Sequence, residues 1–301
     1  MPDLGPAAAL LAEARQIADD HLLAIAGRLQ GECPGRLGDA IAYALGTAGK
    51  RVRPALVLAC YRAAGGRHPA IARLATAVEI IHTYSLVHDD LPCMDNDDRR
   101  RGRPTTHVVF DPPTAARVGY LLVPVAIEVL CEANRTLGVS DAVHQSIART
   151  LLEASGIQGM VGGQWLDLAA EGRSLVADDL TSIHVRKTGA LIEAACVVGG
   201  LAAGASAAMI EGLAGYGREI GVAFQVADDV LDATATTAQL GKTAGRDASL
   251  LKSTFVSFLG VDGARSEADR LANRAVEWLE GSGVESPSLV SLAHYIVNRQ
   301  S

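Results

Sequence analysis

Two aspartate clusters, far apart in the chain and each at the end of an apolar run, constrain what this sequence can fold into more than any other feature. The first reads Asp89-Asp90-Leu91-Pro92-Cys93-Met94-Asp95 and continues into Asn96-Asp97-Asp98-Arg99-Arg100-Arg101. The second reads Asp228-Asp229-Val230-Leu231-Asp232, with Lys242 further on. Two like unit charges ~4 Å apart repel by about 4 kcal/mol at an effective dielectric near 20. A fold that gathers such groups therefore needs a cation to bridge them. All-oxygen ligation favours a hard ion, and Mg²⁺ usually completes its shell with water and substrate phosphates. The bland alternative is that each cluster is a solvated helix end. Two such clusters, each C-terminal to an apolar helix, favour the metal reading.

The bulk properties narrow the function classes. With 301 residues, 49% hydrophobic, the chain has ample material for a large core. Its formal net charge, 27 − 34 = −7, argues against nucleic-acid binding as a primary role. The five cysteines, Cys33, Cys60, Cys93, Cys131 and Cys196, are scattered without CxxC spacing, which fits a reduced setting. The N-terminus lacks a signal-peptide pattern, and no apolar stretch reaches membrane-spanning length without a charge or a Gly/Pro interruption. These features predict a soluble cytoplasmic protein. There is no P-loop, HExxH or GxSxG pattern, and Gly199, Gly200 and Gly204 follow no strand, so a dinucleotide fold is unsupported. Trp165 reads as a core residue.

Ala and Leu dominate while alternating β-branched runs are nearly absent, so the expected fold is all-α. Helices are predicted over 7–30, from Pro54 at a first helical position to Gly65-Gly66, over 70–90 up to Pro92, and over 115–135 after Asp111-Pro112-Pro113. Others follow at about 141–169, 178–202, 206–232, 248–260, 265–280 and 287–299. The polar stretch 234–247 reads as a long loop, of a length uncommon unless functional or disordered. No composition break, repeat or low-complexity tract divides the chain, so one domain over 1–301 is expected.

At 100° per residue, His82 and Asp89 lie about 20° apart on one helix face. Gln225, Asp228 or Asp229, and Asp232 share a stripe on another. If the two faces oppose each other inside a bundle, five acids line one cavity. Lys50, Arg51 and Arg53 precede a helix N-terminus, where anions are favoured. Arg99, Arg100, Arg101 and Arg103 follow the first acidic cluster. Alone, the arginine run is a surface patch and His82 a core histidine; beside five acids they read as a substrate grip.

Taken together, the segments GKRVRP (49–54), HTYSLVHDDLPCMDNDDRRRGRPTTH (82–107), GMVGGQWLDL (159–168), HVRKTGALI (184–192), FQVADDVLD (224–232), LGK (240–242) and LKST (251–254) resemble the trans-isoprenyl diphosphate synthase family. The resemblance is closest to the bacterial farnesyl diphosphate synthase (geranyltranstransferase) group and covers nearly the whole chain. It implies an isoprenoid-synthase-type helical bundle around a central cavity, acting as a homodimer. The implied reaction condenses isopentenyl diphosphate with an allylic (dimethylallyl or geranyl) diphosphate, giving mainly farnesyl diphosphate. It assigns Mg²⁺, about three ions on the substrate diphosphate, to Asp89 and Asp95 of the first motif and to Asp228 with Asp232 of the second, Asp90 and Asp229 lining the same motifs. Lys50, Arg53, His82 and Arg101 match the isopentenyl diphosphate grip. Arg100, Lys187, Thr188, Gln225 and Lys242 match contacts to the allylic diphosphate, and Lys252 a basic residue at the cavity mouth. Thr188 and the backbone near Lys187 are also implied to stabilise the cation by their dipoles. Tyr84, five positions before Asp89, matches a residue that stops the growing tail and favours a C15 product; plain core packing is its alternative.

The chain departs from the family pattern after the first motif. Gly119-Tyr120-Leu121-Leu122-Val123-Pro124 places Tyr120 where the family has an Asp, and Pro124 is expected to kink or break its helix at a cost of about 3 kcal/mol. Both changes bear on the tail pocket or on metal binding. Other readings are a geranyl or geranylgeranyl diphosphate synthase, a class I terpenoid cyclase, and a non-catalytic partner subunit of a synthase heteromer. A cyclase has no use for Lys50, Arg53 and His82, and a regulatory subunit tends to lose one acidic motif.

Overall fold

Helical periodicity carries through almost the entire chain. The computed structural model describes residues 5–170, 172, 175–234 and 253–299. The helices are α1 (Gly5–Glu32), α2 (Arg36–Leu45), α3 (Val52–Ala63), α4 (Ile71–Asp89), α5 (Thr106–Val109), α6 (Pro112–Leu137) and α7 (Asp141–Ser155). They continue as α8 (Met160–Ala169), α9 (Ala177–His184), a π-helical turn (Val185–Gly189), α10 (Ala190–Ala202), α11 (Ala207–Thr234), α12 (Phe255–Gly281) and α13 (Pro287–Asn298). The fold class is all-α as expected; almost all of the loop 234–247, with Lys242 and Lys252, lies outside the described residues.

Several boundaries differ from the periodicity reading, each for a local reason. The short helix α2 was not foreseen; it buries Ala40, Ile41, Ala44 and Leu45. The run 141–169 divides at Gly156–Gly159, which rotates α8 so that Met160, Gly162, Gly163 and Gln164 face inward. Trp165, expected in the core, is consequently 71% exposed. The two helices expected near 248–260 and 265–280 form one element bent at Gly260, whose φ is 69°. Pro54 is the third residue of α3, not the first; it still costs no bond, since first-turn N–H groups have no helical partner. Pro124 neither breaks nor ends α6, which runs through it. Its ring is exposed. Arg99–Arg100 and Arg103–Pro104 form a two-residue antiparallel ladder closed by Arg101 and Gly102, both at positive φ, as a two-residue hairpin turn requires.

The main apolar core draws on helices from both ends of the chain, including Leu22, Leu56, Leu74, Ile81, Leu122, Leu151, Tyr216 and Leu292. A second cluster of Leu180, Val226, Phe255 and Leu271 joins α9, α11 and α12. By length and composition α6 is long and apolar enough to cross a membrane. Here it lies along α4 and buries Val118, Leu122, Val125, Val129 and Leu130.

One buried ion pair fixes the entry to α3. Arg51, left-handed at φ 52°, donates to Glu79 at 2.8 Å, and both side chains are 2% exposed. Its other contacts are Asp19 at 2.7 Å and the Thr47 carbonyl at 2.8 Å. Removing one partner of such a pair leaves an uncompensated buried charge, at a cost of about 3–5 kcal/mol. Glu79→Ala leaves Arg51 its Asp19 partner and should lower unfolding stability by about 2–3 kcal/mol in urea titrations; a loss below about 1 kcal/mol would contradict the buried pair.

Candidate active site

α4, α8, the π-helical turn and α11 enclose a cavity of about 710 Å³. The first acidic cluster reaches it because the chain after α4 curls back on itself. Asp95 donates its N–H to the Asp89 carbonyl at 2.8 Å, and Asp97 to that of Asp90 at 3.2 Å. Asp89, Asp95 and Asp97 therefore line one wall, with Asp228 and Asp229 of α11 also in the lining. Asp97 was not foreseen. Asp90 and Asp232, read as ligands with the others, are buried and absent from the lining. The Asp90 carboxylate accepts from Arg100 at 2.6 and 2.7 Å. Arg100, matched to the allylic diphosphate, thus lines the cavity while holding Asp90 and lying 3.5 Å from Asp97.

Burial pushes the Asp89 carboxyl up to about 6; Lys187 pulls it down while Asp95 pushes it further up. Burial would lower the Lys187 ammonium, and Asp167, Asp95 and Asp89 more than reverse this, leaving it raised. Lys187 donates to Asp167 at 2.6 Å, and Gln164 to Asp95 at 3.2 Å. The π-helical turn carries Lys187 and Thr188 into the cavity, and π-turns inside helices recur at functional sites. Gly163 permits its approach: a Cβ there would lie 2.2 Å from the Lys187 amide nitrogen. Thr188 donates to Gln225 at 3.3 Å, Gln225 to Asp229 at 3.2 Å, and the Phe255 amide to Asp229 at 2.8 Å. The second acid wall is thereby tied to the turn.

Beyond the acids lies a crowd of cations. Lys50, Arg53, His82 and Arg101 all line the cavity. Arg53 makes no side-chain hydrogen bond or ion pair among the described residues, its Nε is buried without a partner, and burial lowers it to about 10. Burial, reinforced by Arg299 and Arg101, brings Lys50 down to about 8. Burial and then Arg53 and Arg101 hold His82 well below the usual imidazole range, so it is neutral at pH 7; its Nδ1 is unpartnered. Arg101 donates to the Ala48 carbonyl at 2.8 Å. Partly buried cations facing cations cost free energy unless an anion joins them. The arrangement is therefore built to receive a multiply charged anion.

Sequence reasoning missed Asp97, Asp167, Gln164 and Arg299. Gln164 and Asp167 lie in the segment GMVGGQWLDL, which carried no assigned role. Arg299 had no local signal. Its side chain, 2% exposed, pairs with Asp228, donates to the carbonyls of Ile296 at 2.7 Å and Phe224 at 3.2 Å, and lies 4.0 Å from the centre of the Phe224 ring. Among the described residues no three or more His, Cys, Asp or Glu side chains already form a metal-binding group. That suits Mg²⁺, which takes one or two carboxylates and completes its shell with water and substrate oxygens. The donor set fits the ion: oxygen ligands on one cavity, beside cations placed for a phosphate.

Known proteins place this geometry in a family. The family model for polyprenyl synthetase matches residues 34–282. A geranylgeranyl pyrophosphate synthase of Arabidopsis thaliana mitochondria is 42% identical over 272 residues, covering 88% of this chain and 78% of the relative. An FPP/GFPP synthase from Zymomonas mobilis superposes with a TM-score of 0.82 at 35% identity, covering 96% of this chain and 98% of that one. A geranyltransferase from Helicobacter pylori, complexed with magnesium and isoprenyl diphosphate, gives 0.81 at 31% identity with 96% of each chain covered. A match of this extent, over a cavity that joins acidic walls to a cluster of cations, makes the chain a member of the polyprenyl synthetase family and a trans-prenyltransferase.

Proposed function

We propose that this chain condenses isopentenyl diphosphate with a dimethylallyl or geranyl diphosphate, giving mainly the C15 product. The observation that carries the reading is the single cavity shared by Asp89, Asp95, Asp228 and Asp229 and by Lys50, Arg53 and His82. The allylic diphosphate lies against Arg100, Lys187, Thr188 and Gln225. The isopentenyl diphosphate takes the Lys50, Arg53, His82 and Arg101 side. Asp89 and Asp95 from one wall and Asp228 and Asp229 from the other would hold Mg²⁺, about three ions with substrate oxygens completing their shells. When bound, the metal acts as a Lewis acid on the departing diphosphate.

The residues then do the following. Lys187 and Arg100 take up negative charge on the leaving oxygens as the allylic C1–O bond breaks. The apolar wall excludes water, which would quench the cation. Thr188 Oγ1 and the Gln225 side chain, linked at 3.3 Å, turn their dipoles toward the cationic carbon. The isopentenyl double bond attacks C1 to form the new C–C bond, and its C2 proton passes to the departed diphosphate. Tyr84, which lines the cavity, stops the tail. A second reading, a C20 product, is favoured by the names of the sequence relatives, among them the mitochondrial geranylgeranyl pyrophosphate synthase.

The whole chain acts as one catalytic unit, a reading supported by a core that draws on α1 and α13 alike. A homodimer is supported by exposed apolar side chains on α6 to α8, Tyr120, Leu121, Leu152, Ile157 and Trp165. A cytoplasmic setting accords with five free cysteines.

Purified protein with Mg²⁺, isopentenyl diphosphate and C5, C10 or C15 allylic primers, with products sized by mass spectrometry, tests the reading. C15 should dominate, and Tyr84→Ala should lengthen the product; unchanged lengths remove Tyr84 as the stop. Asp89→Ala and Asp228→Ala should each lower kcat about 10²- to 10³-fold with helicity intact, and full turnover in either would refute the shared metal site. Lys50 must be protonated to hold an anion and loses its proton near 8. kcat/KM for isopentenyl diphosphate should therefore fall about fivefold from pH 8 to 9. Lys50→Met should flatten that limb; an unchanged limb would acquit Lys50.

A further inference from the structure

Three rings link α4 to the exposed side of α6. Tyr84 and His88 stand one turn apart on α4 and both line the cavity. Their rings meet edge to face at 5.2 Å and 78°. His88 meets Tyr120 of α6 in the same way, at 5.5 Å and 83°. A ring nitrogen of His88 lies 3.0 Å from the Ala116 carbonyl. Gly119 is what admits the ring, since a Cβ there would fall 1.9 Å from His88 Nε2. His88 is thus fixed on one side by the α6 backbone and on its two edges by tyrosines. Tyr120 is 71% exposed, so the core does not hold its ring. It sits at the position where this chain departs from the family pattern, next to the glycine that lets His88 in.

We infer that Tyr120 is a positioning residue for product length: through His88 it holds the Tyr84 ring across the tail end of the cavity, so the stop is a three-ring ladder. The inference rests on the prenyltransfer reading and on Tyr84 as the stop. Edge-to-face pairs have a preferred geometry, so His88 clamped between two rings presents one fixed edge to Tyr84. Without the outer ring, His88 loses its edge-to-face neighbour on α6. Tyr84 then loses a fixed neighbour and can rotate away from the pocket, admitting a tail one C5 unit longer. Tyr120 does not line the cavity that gathers the acids of the two motifs, so its loss should leave the rate of condensation alone.

The test is a product-length cycle on the full-length enzyme with Mg²⁺, isopentenyl diphosphate and geranyl diphosphate. Tyr120→Ala should raise the ratio of C20 to C15 product about three- to tenfold, with kcat/KM for isopentenyl diphosphate unchanged within about twofold. Tyr120→Phe, which keeps the ring, should leave the ratio as it is. In a Tyr84→Ala background, Tyr120→Ala should add nothing, because the ring it positions is gone. Tyr120→Gln replaces the alanine variant if that protein fails to fold. An unchanged ratio in Tyr120→Ala, where Tyr84→Ala does shift it, overturns the inference and leaves the function standing. A shift that persists in the Tyr84→Ala background also overturns it, and so does a shift in Tyr120→Phe. Unchanged lengths in Tyr84→Ala overturn both this inference and the stop, while absence of any condensation by the native enzyme overturns the proposed function itself.

Discussion

Like charges buried against like charges govern this structure. Around one cavity the fold sets carboxylates beside carboxylates and cations beside cations. Asp89 is pushed up to about 6, while Lys50 is drawn down to about 8. Each group would be better solvated in water. The bundle holds them through packing elsewhere: the buried Arg51–Glu79 pair braces the entry to α3, and the α4–α6 contact supports the helix that ends in Asp89. Stability is thus surrendered at the site and recovered in the core, as in many functional cavities. A ligand that is itself a strong anion, carried with hard cations, relieves both ends at once.

The remaining polar contacts share out this tension. Arg100 takes Asp90, Lys187 takes Asp167 and Arg299 takes Asp228, so that three carboxylates in and around the site have fixed counter-ions. Hydrogen bonds from Gln164 to Asp95 and from Gln225 to Asp229 orient two further carboxylates. Fixed orientation is what a preorganised electrostatic site needs, because the charge that develops during reaction then meets dipoles already in place.

What was legible in the sequence was local and periodic. The acid-tipped helices, the Lys50–Arg53 approach to α3 and the turn carrying Lys187 and Thr188 all announce themselves in residue order, and the all-α class follows from composition. What was not legible is non-local or depends on a small change of helical phase. The π-helical turn is invisible in a pattern that reads equally well as a regular helix, and the break at Gly156–Gly159 turned Trp165 outward against expectation. Arg299 pairs across 71 positions with Asp228, and no spacing rule finds that. Asp90 and Asp97 exchange their expected places because Arg100, folded back by the hairpin turn at Arg101 and Gly102, claims the former. Pro124 was expected to kink or break its helix, and α6 runs through it.

The central claim is that the two acidic walls act together, and only with a diphosphate between them. Mn²⁺ binding followed by electron paramagnetic resonance, with and without inorganic diphosphate, measures this directly. The account predicts weak metal uptake by the protein alone, a marked rise once diphosphate is added, and loss of that rise in both Asp89→Asn and Asp228→Asn. Tight metal binding without diphosphate, or a rise that survives substitution in either wall, would contradict it.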